Sequence, residues 1–194
     1  MPAETLQLLV RRRSMYAIAE LPMPIDRDFS EIYREYHRRV LNLCAYLLNS
    51  RDAAEDAANE VFLRIQRKYE TYDPALSFSN WILKIASNYC IDLLRRRGLE
   101  KRLFGVDASE IPEPASDRPG PLSAMLSSEQ GKNVRHALGS LPEKFRVPLV
   151  LAYYNDFSYV QIAAMLRIPR NTVATLLFRG KQQLREKLNE GEPS

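Results

Sequence analysis

The chain has few of the residues from which metal and redox sites are built. Its 194 residues include only two cysteines and two histidines. Cys44 and Cys90 lie far apart, and neither belongs to a C-x-x-C pair. Both sit in apolar periodic segments, which favours buried free thiols over a zinc site. His37 and His136 show no metal-ligand spacing, so we expect neither a metal nor another cofactor.

The sequence also lacks the short motifs of common enzyme classes. It has no Gly-rich phosphate loop, no nucleophile elbow and no Ser/His/Asp pattern. Its carboxylates are scattered over the polar faces of predicted helices. We therefore predict no catalytic residue and no enzymatic activity, and a helical hydrolase is the least favoured function.

No apolar run is long enough to span a membrane, and no secretory signal is recognisable. The apolar content of 45% is ordinary for a globular protein. The formal net charge of +4 makes the chain mildly basic, which suits a polyanionic partner. These features predict a cytoplasmic protein without membrane insertion.

A proline-rich connector separates two blocks that both look helical. Residues 105–121 contain four prolines and two glycines, a density that favours extended chain. Residues 98–122 carry five acidic and three basic side chains, whereas 123–194 carry ten basic and six acidic ones. β-branched alternation is scarce and no internal repeat is evident. We expect a first domain at 26–98, an acidic linker at 99–122 and a second domain at 123–190.

Residues 1–25 allow two interpretations. Leu6, Leu9 and Val10 precede three arginines and could belong to a short regulatory helix. Pro22 and Pro24 then interrupt the chain, and a frayed terminus is the favoured interpretation. Met15 is a second candidate for the true start.

Three long amphipathic helices are predicted in the first block, because apolar residues recur there at helical spacing. A turn and cap at 49–52 separates the first two, and a loop at 69–79 precedes the third. The third is predicted to span 80–97, with arginines near its negative end and Gly98 as its stop. The three stripes are Phe29, Ile32, Tyr33, Tyr36, Val40, Leu43, Cys44 and Leu47; Ala54, Ala57, Ala58, Val61, Phe62 and Ile65; and Trp81, Ile82, Ile85, Ala86, Tyr89 and Leu93.

The second block predicts two helices followed by a helix-turn-helix at 158–181. The first two helices are marked by Val134, Leu138 and Leu141, ended by Pro142, and by Phe145, Val147, Leu149, Val150 and Tyr153. Ser158 and Gln161 have the spacing of a capping box. Val160, Ile162, Ala163 and Leu166 are spaced for one buried face. Pro169 disfavours helix at Ile168, so the helix is predicted to break at 167–169.

The last helix of this motif has the features of a helix that lies in a DNA major groove. Asn171 or Thr172 can cap it. Its apolar stripe is Val173, Leu176, Leu177, Gly180 and Leu184, and its polar face shows Thr172, Thr175, Phe178, Arg179 and Gln182. Arginines can contact phosphate or guanine, and Thr175 can bond a base edge or touch a thymine methyl group. Phe178 fits a thymine methyl group or a sugar edge; its alternative is packing against another domain or an inhibitor protein.

Three further segments carry a family resemblance. Residues 52–65, DAAEDAANEVFLRI, are similar to region 2.2 of the extracytoplasmic-function (ECF) sigma factors of bacterial RNA polymerase. Residues 78–97, FSNWILKIASNYCIDLLRRR, resemble regions 2.3 and 2.4, and residues 141–146, LPEKFR, resemble region 4.1. With the linker and the helix-turn-helix, the resemblance covers roughly residues 28–188. It implies an all-α chain in which a sigma-2-like bundle and a sigma-4-like helix-turn-helix domain are joined by an extended linker.

The resemblance also implies partners and site residues. The partners are core RNA polymerase (its β′ clamp helices and β flap), promoter DNA and an anti-sigma factor. The core-binding residues are Asp56, Asn59, Glu60 and Arg64. The minus-ten residues are Ser77, Phe78, Lys84, Asn88, Asp92, Arg95 and Arg96. The minus-thirty-five residues are Arg170, Asn171, Thr172, Ala174, Thr175, Phe178, Arg179 and Lys181.

Simpler interpretations stand beside these assignments. The acidic residues of 52–60 form an ordinary solvated helix face if considered alone, and the arginines at 95–97 form an ordinary basic helix end. Trp81 is favoured as a core residue over a DNA-stacking one. The family often has glutamine where Asn59 stands and a basic residue where Ala174 stands. The alternative function is a stand-alone regulator that binds a two-fold symmetric operator as a dimer.

Overall fold

A computed structural model describes residues 28–99 and 130–190. Every regular element in these two ranges is helical, which confirms the predicted all-α class. The helices are α1 Phe29–Leu48, α2 Arg51–Lys68, α3 Phe78–Leu94, α4 Gln130–Ser140, α5 Glu143–Tyr153, α6 Tyr159–Leu166 and α7 Arg170–Glu190. A 3₁₀ turn spans Tyr69–Thr71 and a π-helical turn spans Arg95–Leu99.

The described residues up to Arg97 belong to one compact unit, and those from Gln130 onward belong to another. The predicted extension at 1–25 and all but the first residue of the predicted linker at 99–122 lie outside the described residues. The exact domain boundaries therefore stay predictions. None of the described helices is long and apolar enough to cross a membrane.

Local side-chain bonds define where α1 and α2 begin and end. The carboxylate of Asp28 caps α1 by accepting from the backbone N–H of Ser30 at 3.3 Å and from its hydroxyl at 2.6 Å. These two bonds lower the pKa of Asp28. Asn49 ends α1 with φ 52°, and the hydroxyl of Ser50 caps α2 by accepting from Ala53 N–H at 3.3 Å. The predicted turn and cap at 49–52 is thus confirmed.

The core of the first unit lies where α1, α2 and α3 pack together. The predicted stripes of α1 and α2 are buried, apart from Tyr33, which is 37% exposed, and the half-buried Phe29. Cys44 and Cys90 are buried free thiols in this core, as predicted. A hydrogen bond with Cys44, together with burial, raises the pKa of Cys90 well above its usual value. Cys90 is therefore expected to stay protonated and unreactive.

The prediction for α3 is wrong in start and end, and its predicted face is only partly correct, since Ile82 and Ala86 are buried. The helix begins at Phe78, two residues earlier than predicted, because the hydroxyl of Ser77 accepts from Asn80 N–H at 3.2 Å and caps it. Its sequence is apolar on most sides, so spacing alone did not select the buried face. The buried residues are Phe78, Ser79, Ile82, Leu83, Ala86, Ser87, Cys90, Ile91 and Leu94. Trp81, Ile85, Tyr89 and Leu93 are half-buried at the edges, and the π-helical turn continues past Gly98.

The second unit packs α7 against α4, α5 and α6. The predicted stripe of α7 is buried along its whole length. Gly180 lies where α7 crosses α5, and a Cβ added there would stand 3.0 Å from Leu149 Cδ1 and 3.3 Å from Phe145 Cβ. Arg146 is also buried, and its guanidinium donates to the carbonyl of Leu141 at 3.0 Å. Burial lowers the pKa of Arg146, and the nearby Glu143 partly offsets that effect.

The helix-turn-helix contains one confirmed cap and two corrections. Ser158 and Gln161 form the predicted capping box at the start of α6. The predicted buried position of Val160 is wrong: its side chain is 62% exposed, and the neighbouring Tyr159 takes the place in the core. Two consecutive apolar residues leave this choice open in the sequence.

The break between α6 and α7 also differs in detail from the prediction. Arg167 closes α6 in the left-handed conformation, with φ 56°. The next helix already begins at Arg170, and Val173 N–H donates to the carbonyl of Pro169 at 3.2 Å. Asn171 and Thr172 therefore lie inside the first turn, and the prediction that one of them caps the helix is wrong.

Candidate polymerase and nucleic-acid interfaces

The predicted core-binding residues share the outer face of α2. Asp56 and Asn59 are exposed. Glu60 and Arg64 are half-buried and form an ion pair with an Arg64 Nε to Glu60 Oε1 distance of 2.9 Å. We call these four residues the acidic face.

Arg64 connects the acidic face to α3. Its guanidinium carbon lies 4.4 Å from the ring centroid of Tyr89, within the range of a cation–π contact. The arginine is thus oriented by Glu60 on its own helix and by Tyr89 on the next one. Two partners restrict its rotamers, which reduces the side-chain entropy that a binding partner must remove.

Leu63 is a residue of this surface that the sequence interpretation missed. It is 47% exposed and follows Asn59 by one helical turn. A single exposed leucine is ordinary by itself, but this one adds an apolar group to the exposed polar groups of the acidic face. Its signal in the sequence is an apolar residue that falls outside the stripe of α2, directly after the buried Phe62.

The predicted minus-ten residues divide into an exposed group and a structural group. Lys84, Asn88 and Asp92 are exposed along successive turns of α3, and Arg96 is exposed in the turn that follows. We call these four the polar face of α3. Arg95 donates to Asp92 Oδ1 at 3.1 Å, and its side chain is only 15% exposed.

Phe78 is contradicted as a direct DNA contact, because it is only 3% exposed. Its ring makes edge contacts with Tyr36, Tyr69 and Tyr72, at centroid distances of 5.7, 6.1 and 4.9 Å, and stacks on Trp81 at 5.6 Å. Phe78 is thus the centre of an aromatic cluster beneath the loop at 72–77. Trp81 is half-buried at the rim of that cluster, in agreement with a packing role.

A hydrogen bond between helices supports the beginning of α3. The guanidinium of Arg39 on α1 donates to the hydroxyl of Ser79 at 2.6 Å. Ser79 is 3% exposed, so its end of the bond is shielded from water, which strengthens the bond. It holds the first turn of α3 against α1, next to the capping Ser77.

The exposed surface of α7 carries most of the predicted minus-thirty-five residues. Arg170, Asn171, Phe178 and Arg179 are exposed, and Phe178 is 48% exposed. Thr172, Ala174 and Lys181 are half-buried. Gln182 and Arg185 continue this exposed surface towards the end of the helix.

Thr175 is contradicted as an exposed base contact. It is 7% exposed, and its hydroxyl donates to the carbonyl of Asn171 at 3.1 Å. The side chain therefore points into the unit, and its donor is satisfied one turn back along the same helix. Helical spacing places Thr175 at the border of the polar face, and packing within the second unit buries it.

Lys181 is positioned by an aromatic ring of α5. Its ammonium lies 5.1 Å from the ring centroid of Tyr153. Burial raises the pKa of Tyr153 to about 12, so its hydroxyl remains protonated at neutral pH.

No group of three or more His, Cys, Asp and Glu side chains suited to a metal ion occurs among residues 28–99 and 130–190.

Both units match known family models. Residues 32–100 match Sigma-70 region 2, and residues 132–184 match Sigma-70 region 4. The chain is 30% identical to the ECF RNA polymerase sigma factor SigW of Bacillus subtilis over 171 residues, which are 85% of this chain and 91% of that protein. The chain belongs to the ECF sigma factors. It is also 33% identical to SigE of Mycolicibacterium smegmatis, with 83% of this chain and 62% of that protein covered.

Solved structures share the fold of this ECF sigma factor. The sigma factor RpoE of Bartonella quintana, solved in complex with the anti-sigma factor NepR, has a TM-score of 0.58 and 20% identity, with 86% of this chain and all of that chain covered. CnrH, solved with the cytosolic domain of CnrY, has a TM-score of 0.50 and 19% identity, with 84% and 89% covered.

Membership of this family settles the class of function. The ECF sigma factor binds core RNA polymerase and promoter DNA and directs promoter-specific initiation of transcription. It is a transcription initiation factor, and the stand-alone dimeric regulator is not favoured.

Proposed function

We propose that the acidic face of α2 is the surface by which this sigma factor docks on the β′ clamp helices of core polymerase. Asp56 and Asn59 offer an exposed carboxylate and amide, and Leu63 adds an apolar anchor between polar groups. Glu60 and Arg64 form one edge of this surface, where their ion pair fixes the orientation of both side chains. The combination of an apolar centre and a polar rim is typical of specific protein interfaces.

The polar face of α3 is proposed to hold the minus-ten strand after it separates from its partner. A base leaves the stack before it can be read in a single strand. Asn88 supplies an amide for a base edge, and Lys84 and Arg96 supply positive charge for the phosphates. Ser77, Phe78 and Arg95 are proposed to position this surface, because they cap α3, fill the aromatic cluster and bond Asp92.

The exposed surface of α7 is proposed to read the minus-thirty-five duplex in the major groove. Arg170 and Arg179 suit phosphate or guanine, and Asn171 suits a base edge. Phe178 and Ala174 suit thymine methyl groups, and Lys181 suits a phosphate. Thr172 borders this surface, whereas Thr175 acts only through its bond within the helix.

The minus-ten contact of the first unit and the minus-thirty-five contact of the second reinforce each other when both are tethered in one complex, so neither needs a high affinity alone. The proposed domains are residues 26–98 and 123–190, joined by the acidic linker 99–122, and the second domain is expected to lie against the β flap. The site of action is the cytoplasm, where core polymerase is found. Free in solution, the chain is expected to bind DNA weakly and with a steep salt dependence.

Control by an anti-sigma factor is part of the proposal. RpoE, a sigma factor of similar fold, was solved in complex with the anti-sigma factor NepR, and CnrH was solved with the cytosolic domain of CnrY. The exposed Leu63 and Phe178 offer apolar anchors for such a protein on the two units. An inhibitor that covers either surface would compete with polymerase or with DNA.

The observation that carries the proposal is that one small helical unit presents an acidic face on α2 and a polar, partly basic face on α3. The test is gel filtration with core polymerase, followed by in vitro transcription on a fragmented genomic library. We expect co-elution with core enzyme and transcripts from a defined set of promoters. A chain that fails to co-elute and instead forms a stable DNA-binding dimer would contradict the proposal.

A further inference from the structure

Leu76 is the most exposed large apolar side chain in the described part of the first unit. It is 58% exposed, compared with 47% for Leu63 and 37% for Tyr33. A single exposed leucine on a surface is ordinary and needs no explanation. Leu76 differs because its backbone is held in one conformation and because of the surface that it borders.

Three hydrogen bonds hold the turn that presents Leu76. Its N–H donates to the carbonyl of Asp73 at 3.0 Å, and Ala75 N–H donates to the Asp73 carboxylate at 2.9 Å. The carbonyl of Leu76 accepts from the hydroxyl of Tyr72. The adjacent Ser77 then caps α3. The backbone on both sides of the leucine is thus bonded.

The turn is also connected to the aromatic cluster beneath it. The ring of Tyr72 lies 4.9 Å from Phe78 and 5.2 Å from Trp81, measured between centroids. Movement of Leu76 towards the protein would disturb this packing. A partner that meets Leu76 therefore meets a fixed apolar projection, and little ordering is needed on binding.

Leu76 lies at one end of the surface proposed to hold the minus-ten strand. Ser77, Trp81, Lys84 and Asn88 follow at helical spacing and share one side of α3. Going from Leu76 along the helix, this side offers an aromatic edge, then a cation, then an amide. Stacking surfaces followed by positive charge and hydrogen-bonding groups are typical of single-strand binding. The nearby carboxylate of Asp73 is bonded within its own turn.

We propose that Leu76 is a wedge that inserts beside the first base pair opened at the minus-ten element and keeps the separated bases from stacking again. The inference rests on the proposed function and adds to it a residue that acts on the base step. Leucine is among the apolar side chains that other proteins insert between base steps to unstack them. The neighbouring cation and amide favour DNA over a protein as the occupant.

The test uses full-length protein with core polymerase and a promoter selected with the wild-type holoenzyme. A 2-aminopurine base in the minus-ten element reports strand opening by its fluorescence. Leu76→Ala is compared with Leu76→Met, which keeps an apolar side chain of similar length, and with Glu70→Ala, an exposed change near the same loop. Each variant is measured on duplex DNA and on a template with a mismatched, pre-opened minus-ten element.

We expect Leu76→Ala to open the duplex about tenfold more slowly than wild type. The same variant should match wild type on the pre-opened template, where no base step remains to be separated. Leu76→Met and Glu70→Ala should match wild type on both templates. Affinity for core polymerase should be equal for all four proteins.

Unchanged opening of duplex DNA by Leu76→Ala would overturn the wedge, and so would equal slowing on both templates. Loss of core affinity would show instead that Leu76 contacts protein. If the wild-type holoenzyme opened no promoter at all, the proposed function itself would fail and the wedge with it. Failure of the wedge alone leaves promoter opening by wild type intact, whereas failure of the proposed function abolishes opening by every protein.

Discussion

The guanidinium of Arg64 lies 4.4 Å above the centre of the Tyr89 ring while its Nε donates to Glu60 at 2.9 Å. One side chain therefore connects the acidic face of α2 with the helix proposed to hold the minus-ten strand. A cation–π contact at a partly exposed site contributes roughly 0.5–1 kcal/mol. The contact orients Arg64 more than it stabilises the fold.

The acidic face provides the first prediction. Replacing Asp56 and Glu60 together by alanine should weaken core polymerase binding on the order of tenfold, which is about 1.4 kcal/mol. The change removes two carboxylates and releases Arg64 from Glu60. Fluorescence anisotropy with labelled sigma factor measures the affinity. Glu55→Ala is the matched control, since Glu55 forms only an exposed pair with Arg51; an equal loss there would indicate a general charge effect.

Arg179 provides a test of the duplex contact. Arg179→Ala should weaken binding to promoter duplex and reduce the salt slope by about 1, as expected when one phosphate contact is lost. Core association should stay unchanged. Arg185→Ala removes the same charge six residues further along α7 and should have a smaller effect. Identical losses for the two variants would point to long-range attraction and not to a specific contact.

Phe178 and Thr175 should behave in opposite ways, although both were predicted to read bases. Phe178→Ala should alter which minus-thirty-five sequences are preferred, because a 48% exposed ring is removed from the DNA-facing surface. Thr175→Val should leave the preference unchanged, because this hydroxyl is buried and bonded to Asn171. Selection of random duplexes by each variant measures the preference. A changed preference for Thr175→Val alone would contradict the orientation of α7.

The second unit is expected to lose folding stability in alkaline solution because of Tyr153. Its pKa is raised from 10.0 to about 12 because burial disfavours the phenolate. The stabilisation is complete below pH 10 and is lost as the pH rises towards 12, since the unfolded chain ionises first. Tyr153→Phe should therefore lose less stability over this range than wild type. Denaturant unfolding at several pH values measures the difference, and parallel curves for the two proteins would contradict the raised pKa of Tyr153.

The contrast between α2 and α3 explains how much of the fold the sequence could predict. In α2 the stripe from Ala54 to Ile65 is separated from charged residues, so only one face can be buried, and the prediction is correct. In α3 both sides carry apolar residues. Leu83 and Ile91 are in the core, whereas Ile85 and Tyr89 are at its edge. Periodicity could not distinguish these arrangements. It detects a difference between an apolar and a polar side of a helix, and α3 shows little such difference.

The candidate sites show the same limit. Exposed charged positions such as Asp56, Lys84 and Arg179 follow from the polarity of their own helices. Phe78 and Thr175 were assigned to DNA because of their place in a motif, but neighbouring elements cover both. The exposure of Leu63 and Leu76 was not predicted, because an apolar residue is first expected in the core. Whether such a residue is exposed depends on where the other helices end.

The sequence by itself determined the helical class, the caps of α2 and α6 and the family, because these depend on local spacing and on motifs read along the chain. Ser50 and the capping box of Ser158 and Gln161 are examples, since each bond joins residues at most three positions apart. Only the tertiary structure decided that Phe78 and Thr175 are buried and that Leu76 is presented to solvent. The burial of Phe78 and Thr175 depends on packing between helices, which selects one face among several that local propensity allows, and the exposure of Leu76 depends on where that packing stops.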